Sequence, residues 1–129
     1  EKQLQIIDSG DIILTDVEKN TNKLWHAISG SVYIQKHLGI TDPDIINAVR
    51  YHTTGRAGMS LLEKVVFLAD FTSAERDYPD VDVIRQKAEI SLEEGMLYGI
   101  EFTLKRLLER QGYLSLDAID AYNEILLNR

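Results

Sequence analysis

The chain has 129 residues, 44% of them hydrophobic and 27% charged, which fits one globular domain with a sizeable core and excludes a disordered protein. Fourteen basic residues against twenty-one acidic ones give a net charge of −7, which argues against a nucleic acid polymer or an anionic membrane surface as partner. The absence of cysteine excludes disulfides and thiolate metal sites, so any metal ligands must be histidine and carboxylate.

Two features concern the location of the protein and the extent of the chain. No apolar run approaches the ~20 residues that span a bilayer, and Glu1-Lys2-Gln3 does not open a signal peptide. We therefore expect a cytoplasmic protein. The chain starts within a helical pattern and without Met, so we also expect that an upstream part is missing.

Apolar residues at helical spacing predict the elements of the first half. The predicted helices cover 1–8, 22–38 and 43–51, with a turn of helix or an extended connector over 11–22. The second of them is expected to be capped by Asn20 or Asn22. Asp42 followed by Pro43 is a strong helix start, because Asp accepts backbone N–H groups and Pro fits the first turn.

The second half shows further capping signals. Ser60 and Glu63 form a capping box ahead of a strongly apolar pattern, which predicts a central helix. A loop over 72–80 and a helix over 81–90 follow, and Ser91 indicates a second cap or a kink before a long apolar stripe. The last helix is expected to start at Ser115 or Asp117. The sequence thus predicts an all-α bundle of roughly six helices in a single domain, 1–129.

Two side chains of metal-ligand type fall on faces that the spacing predicts to be inward. His52 follows Ile45 and Val49 at helical intervals, and Asp70 lies four residues beyond Val66. A carboxylate without a partner is costly on an apolar face, so a cation or a donor must meet it. A structural core histidine and a hydrogen-bonding aspartate remain the alternatives.

The segment between these two residues suits an anion. Gly55, Arg56 and Gly58 make a loop that can bring backbone N–H groups and a guanidinium to a phosphate. Arg76, which follows Asp70 closely, is either a solvated loop charge or a further contact to phosphate. The combination predicts metal-assisted phosphate chemistry.

A family resemblance rests on several motifs spread over most of the chain. They are Leu24-Trp25-His26-Ala27, Arg50-Tyr51-His52-Thr53-Thr54-Gly55-Arg56, Leu62-Glu63-Lys64 with Ala69-Asp70, and Arg76 with Pro79 and Val81. On these residues the chain resembles the HD-domain metal-dependent phosphohydrolases, and within them the bacterial symmetrical diadenosine-tetraphosphate hydrolases.

The resemblance implies an HD-type helical bundle and a set of metal ligands. The family order is His, a His-Asp pair, His, His and Asp, and His26, His52 and Asp70 match the last three places. The first His and the His-Asp pair have no counterpart, so we expect them, and the catalytic residues, upstream of Glu1. A lesser departure is Ser73-Ala74, where the family tends to an acidic residue and proline.

The resemblance also implies the chemistry. The expected cofactor is a divalent or di-iron-type metal, iron first, with manganese, magnesium or cobalt as alternatives. Thr53, Gly55, Arg56 and Arg76 would bind the phosphates of a dinucleoside polyphosphate or an ADP-like nucleotide, cleaved symmetrically to two ADP.

Besides this hydrolase, two alternatives stay open: another HD-type phosphohydrolase acting on a nucleotide or a phosphate ester, and a non-catalytic helical dimerisation or ligand-binding module. A homodimer is compatible with each of them. Because half of the expected ligands are absent, we also expect the chain by itself to be an inactive fragment.

Overall fold

The computed structural model describes residues 2–73 and 75–129, and within these ranges every regular element is helical. The α-helices are α1 (Lys2–Ser9), α2 (Asp16–Lys19), α3 (Trp25–His37), α4 (Pro43–Arg50), α5 (Leu61–Thr72), α6 (Val81–Ile90), α7 (Leu92–Glu109) and α8 (Leu116–Leu127), with a 3₁₀ turn at Asn22–Leu24. The predicted all-α class is confirmed. Two residues of the sequence predictions, Glu1 and Ala74, lie outside the described residues.

The eight described α-helices exceed the predicted six for local reasons. Thr15 and Glu18 form a capping box that starts the single turn of α2 inside the connector. Ser91 adopts an extended conformation (φ −165°, ψ 159°) and accepts a hydrogen bond from the Glu94 N–H, so it separates α6 from α7. The predicted cap of α3 is wrong, because a 3₁₀ turn precedes the helix and Leu24 takes the N-cap position without a side-chain bond.

Most other helix starts follow the predicted capping chemistry. Asp42 accepts a hydrogen bond from the backbone of Asp44 at the start of α4. Both halves of the Ser60–Glu63 capping box are formed at α5. Ser115, rather than Asp117, caps α8. These bonds satisfy backbone N–H groups that a helix start leaves without partners.

The core lies between α5, α7 and α8, and its buried members are Met59, Phe67, Met96, Ile100, Ala121 and Ile125. On the other side α3 packs against α1 and α4, and α4 packs against α5. The segment 51–60, which joins α4 to α5, therefore runs from the α3–α4 layer to the core. None of the helices in the described ranges is both long and apolar enough to cross a bilayer.

One face of α5 differs from the expectation of a central helix. Leu61, Leu62 and Val65 have exposed fractions of 69%, 38% and 45%. By contrast Glu63 is 2% exposed and lies on the buried side with Phe67. Part of the apolar surface of α5 therefore faces solvent, and an acid takes a buried position.

Gly95 and Gly99 offer a matched pair of substitutions within α7. A Cβ at Gly95 would lie 3.0 Å from the Cα of Ala88 in α6, whereas one at Gly99 would meet the Phe71 ring at an ordinary 3.5 Å. Alanine favours a helix interior over glycine by about 1 kcal/mol, so we expect Gly99→Ala to be neutral or stabilising. Gly95→Ala should be less stable than Gly99→Ala by about 1–3 kcal/mol, because overpacking forces α6 to move.

Urea unfolding of the two variants under the same conditions measures this difference. Equal stability would mean that α6 moves aside without cost and that the α6–α7 contact is not close-packed at Gly95.

Candidate metal centre

His26 and His52 lie side by side although they come from different helices. His26 belongs to the first turn of α3, and His52 follows the end of α4 by two residues. Their ring centroids are 5.2 Å apart and their planes meet at 74°. With metal–nitrogen bonds of about 2 Å, two imidazoles on one ion hold their ring centres about 5 Å apart. The spacing therefore suits a shared ion or two neighbouring ions.

Both rings have the tautomer that a metal requires. The Nδ1 atom of His26 lies 2.6 Å from the carbonyl oxygen of Lys23, and that of His52 lies 2.6 Å from the carbonyl oxygen of Val49. A carbonyl oxygen only accepts, so each neutral ring carries its proton on Nδ1. The lone pair of each Nε2 atom is left for a metal or a donor, with the backbone carbonyl fixing the ring orientation.

Thr53 lies next to this pair. Its hydroxyl oxygen is 3.4 Å from the Nε2 atom of His26. In the tautomer with the proton on Nδ1, the hydroxyl is the donor in this contact. Thr53 is thus positioned beside the atom that would bind a metal, where a phosphate oxygen can replace the nitrogen as acceptor.

Asp70 does not face the core as its spacing predicted. Its side chain is 45% exposed, and its carboxylate accepts a hydrogen bond of 2.9 Å from Arg76, whose Nε atom also donates to the Asp70 carbonyl at 2.7 Å. The donor that this carboxylate was expected to require is therefore Arg76. In the described part of the chain no three His, Asp or Glu side chains form a group that could hold a metal ion. The ligand set of His26, His52 and Asp70 stays a prediction.

Arg56 has a buried partner. Its Nε and Nη2 atoms donate to the two carboxylate oxygens of Glu63 at 2.8 and 2.9 Å, and its guanidinium stacks on Tyr51 at 4.8 Å from the ring centroid. Burial raises the pKa of Glu63, but the hydrogen bonds from Arg56 and Ser60 outweigh it and lower the pKa below its usual value. The parallel donors expected for a phosphate are thus committed to Glu63, and the phosphate role of Arg56 stays a prediction.

Gly55 shapes this loop from the inside. It is buried with φ +71°, and a Cβ there would lie 3.5 Å from both Phe67 and Ala121. Its N–H donates to the Tyr51 carbonyl at 2.8 Å. Gly55 therefore has a structural function, because its left-handed turn holds the segment against the core. Its contact with phosphate stays a prediction.

Two contributors near the site were missed by the sequence interpretation. Glu63 was identified only as a capping residue, and its role as the buried partner of Arg56 depends on a fold contact. Arg85 braces the end of α5, since its Nη2 atom donates to the Ser73 carbonyl at 2.9 Å and its Nε atom to the Thr72 carbonyl at 3.3 Å. No spacing in the sequence indicates either contact.

A small cavity, here called the α7–α8 cavity, opens beside Thr53. It has a volume of about 130 Å³ and is lined by Thr21, Lys23, Leu24, Thr53, Thr54, Phe67, Ile100, Thr103, Leu104, Leu107, Arg110, Tyr113, Ser115 and Ala118. A larger cavity of about 530 Å³ lies by Lys64, Glu93 and Arg129, and its lining includes neither His26 nor His52. The smaller cavity is related to the candidate metal centre through Thr53, which lines the cavity and contacts His26.

Comparison with known proteins gives this arrangement a context. No protein-family model matches the chain. The symmetrical bis(5'-nucleosyl)-tetraphosphatase of Bacillus subtilis is 40% identical over 101 residues, which cover 78% of this chain and 54% of that protein. The protein of the same name from Halalkalibacterium halodurans is 37% identical over 108 residues, which cover 84% of this chain and 58% of that protein. The chain thus spans about half the length of the curated relatives that it matches.

A solved structure matches nearly the whole chain. It is described as a predicted HD superfamily hydrolase involved in NAD metabolism from Clostridium acetobutylicum. The two share 32% identity at a TM-score of 0.94, over 99% of this chain and 68% of the other. At that identity and coverage, and with the paired histidines in place, the chain belongs to the HD superfamily of hydrolases.

Proposed function

We propose that this chain is part of a metal-dependent phosphohydrolase that cleaves diadenosine tetraphosphate symmetrically into two ADP. The observation that carries the proposal is the pair of adjacent imidazoles whose Nδ1 atoms each lie 2.6 Å from a backbone carbonyl, which leaves both Nε2 atoms available as ligands. The names of the curated relatives supply the substrate class, and membership of the HD superfamily accords with a divalent metal.

His26 and His52 would hold the metal, and the chemistry of their donor atoms fits it. Neutral imidazole suits iron and related divalent ions, and a carboxylate from Asp70 would be a suitable third ligand. When bound, such a metal lowers the pKa of water and offsets negative charge on phosphate oxygens. We assign iron first, with manganese, magnesium or cobalt as alternatives.

Asp70 and Arg76 would change partners when substrate binds. Their ion pair has exposed fractions of 45% and 47%, and exposed pairs contribute only about 0–1 kcal/mol. Opening it therefore costs little, and it frees a carboxylate for the metal and a guanidinium for a phosphate oxygen. Thr53 would donate its hydroxyl to the same phosphate chain, and any contact from Arg56 would use the donors that Glu63 leaves free.

The other ligands would come from outside this chain. In this proposal the domain over 1–129 lacks its N-terminal helices, and those would carry the remaining His and the His-Asp pair. The match covers 54% and 58% of the two curated relatives, so those proteins have further residues outside the matched region. The chain by itself would then bind metal weakly, because a metal site needs its full ligand count and geometry.

A second candidate is hydrolysis of another nucleotide within the same superfamily. The description of the Clostridium acetobutylicum protein as involved in NAD metabolism favours it. Both candidates predict a nucleotide substrate and the same histidine pair, so only the reaction products separate them.

The test is a product analysis with the full-length protein and each candidate metal in turn. We expect diadenosine tetraphosphate to give ADP as the sole nucleotide product, at a higher catalytic efficiency than diadenosine triphosphate, NAD or a phosphate monoester. ATP with AMP would show asymmetric cleavage, and preference for NAD would favour the second candidate. No turnover with any metal or substrate would favour a non-catalytic module.

A further inference from the structure

We propose that the α7–α8 cavity receives one adenine base of the substrate, an inference that rests on the proposed function and assigns a binding site for one end of the dinucleotide. The cavity lies between Phe67 of α5, the inner face of α7 and the start of α8.

The size and walls of the cavity suit a flat ring. Its volume of about 130 Å³ is well below the ~300–1,000 Å³ of sites that enclose drug-sized ligands. The walls are apolar, formed largely by Phe67, Ile100, Leu104 and Leu107. A bicyclic base fits such a space, whereas a whole nucleotide must leave its sugar and phosphates outside.

Hydroxyl groups inside the cavity have the polarity that adenine needs. The hydroxyls of Thr54 and Thr103 donate to the carbonyls of Gly55 and Gly99 at 2.8 and 3.0 Å, so each oxygen can still act only as an acceptor toward a ligand. The Ser115 oxygen accepts from the Ala118 N–H, so its own O–H can still donate. Adenine offers an amino donor and ring-nitrogen acceptors on its edges, which complement this set.

Two cationic residues line the cavity in a chain with a net charge of −7. Lys23 and Arg110 are exposed and line it, and neither takes part in an ion pair among residues 2–73 and 75–129. Two cations at this point complement the phosphate that follows the ribose of a bound nucleoside. The charge therefore favours a nucleotide over an uncharged apolar ligand.

The cavity and the candidate metal centre have two residues in common, Thr53 and Lys23. Thr53 lines the cavity and also contacts the Nε2 atom of His26. Lys23 lines it too, and the Lys23 carbonyl orients the same imidazole. A base held between α7 and α8 thus places its sugar at the mouth and directs the phosphate chain toward the two histidines.

The experiment uses a cavity-filling variant of the full-length protein. We expect Leu104→Trp to raise the KM for diadenosine tetraphosphate by about tenfold or more, with kcat and metal content changed little. Leu108→Trp, on the same helix but 62% exposed and outside the cavity lining, is the matched control and should behave as wild type. Leu104→Phe is the second variant, if tryptophan prevents folding, and should give a smaller rise in the same direction.

A binding measurement separates this inference from the proposed function. Adenosine has no phosphate and needs no metal, and we expect it to shift the methyl NMR signals of Ile100, Leu104 and Leu107 and to lose that effect in Leu104→Trp. Shifts at those methyls without hydrolysis of the dinucleotide would support the base site while removing the proposed function. Hydrolysis with an unchanged KM in Leu104→Trp, or adenosine shifts confined to the larger cavity, would overturn the base site and leave the proposed function standing.

Discussion

Replacing Arg56 by methionine is expected to lower the free energy of unfolding by about 3–5 kcal/mol, because it leaves a buried carboxylate without its partner. Glu63 is 2% exposed, and both of its oxygens accept hydrogen bonds from Arg56. Methionine keeps much of the length and volume of the arginine stem, so the loss reports the charge and the hydrogen bonds. Urea unfolding at neutral pH measures it.

The matched control is the pair formed by Lys64 and Glu93, which also joins side chains of opposite charge at 2.8 Å. Their side chains are 27% and 46% exposed, so Lys64→Met should cost no more than about 1 kcal/mol. Adding Glu63→Gln to Arg56→Met should restore part of the loss, because it removes the unpaired charge. A loss below 1 kcal/mol in Arg56→Met, together with lost phosphate binding, would instead make Arg56 a ligand-binding residue.

The pH dependence of the free energy of unfolding should also show that Arg56 stabilises the ionised form of Glu63. In the wild type the pKa of Glu63 lies below its usual value of 4.5, so the pair stabilises the fold above that pH. That stability is lost as the pH falls through the folded pKa. In Arg56→Met burial remains while the hydrogen bonds and charge of Arg56 are gone and only the hydrogen bonds with Ser60 are left, so the Glu63 pKa rises. The contribution of this group should then reverse, with stability gained as the pH falls.

Removal of either histidine should abolish the proposed activity. We expect His26→Ala and His52→Ala, each in the full-length protein, to lower the catalytic efficiency with diadenosine tetraphosphate by at least about 100-fold. Loss of a partner that merely orients a metal ligand already costs about 10- to 100-fold, and loss of the ligand itself should exceed that. Bound metal, measured by elemental analysis after purification, should fall in parallel.

His37→Ala is the control for these two substitutions. His37 is the last residue of α3 and stacks on Tyr33 at a centroid distance of 4.6 Å, and its exposed ring contacts neither of the paired histidines in the described structure. It should keep both activity and metal. Full metal content in His26→Ala and His52→Ala would show that the ions bind elsewhere and would remove the basis of the proposed function.

The helices of this protein could be predicted closely because their signals are local. Asp42, Ser60 and Ser91 each accept a hydrogen bond from a backbone group two or three residues ahead, so a short stretch of sequence contains both partners. The start of α3 is the exception. Its first turn continues from a 3₁₀ turn, and no asparagine side chain caps it.

The buried side of α5 could not be predicted from periodicity. Its apolar residues cover more than half of the helix, so spacing alone does not decide which half packs. The structure buries Glu63 and exposes Leu62, because Arg56 from the preceding loop neutralises the acid. The same ambiguity explains the error at Asp70, which lies on the exposed side and pairs with Arg76.

The arrangement of the histidine pair depends partly on local sequence and partly on helix packing. The family resemblance placed His26 and His52 in one ligand set and so implied that they lie together, whereas residue spacing alone does not give the 5.2 Å between their rings. That contact depends on how two helices pack. The tautomers, on the other hand, depend on carbonyls three residues earlier in the chain, which is a local feature of each helix end.

The short bonds from each Nδ1 atom to a carbonyl have a consequence for binding entropy. Immobilising a freely rotating side chain on binding weakens affinity by about 0.5–1.5 kcal/mol. Here both rings are already oriented by the backbone of Lys23 and Val49, at 2.6 Å in each case. For two rings the avoided loss is about 1–3 kcal/mol, equivalent to roughly 5- to 150-fold in the dissociation constant of an ion that binds both Nε2 atoms. Part of the affinity for such an ion is therefore provided when the α3–α4 layer folds, because folding already orients both imidazole rings.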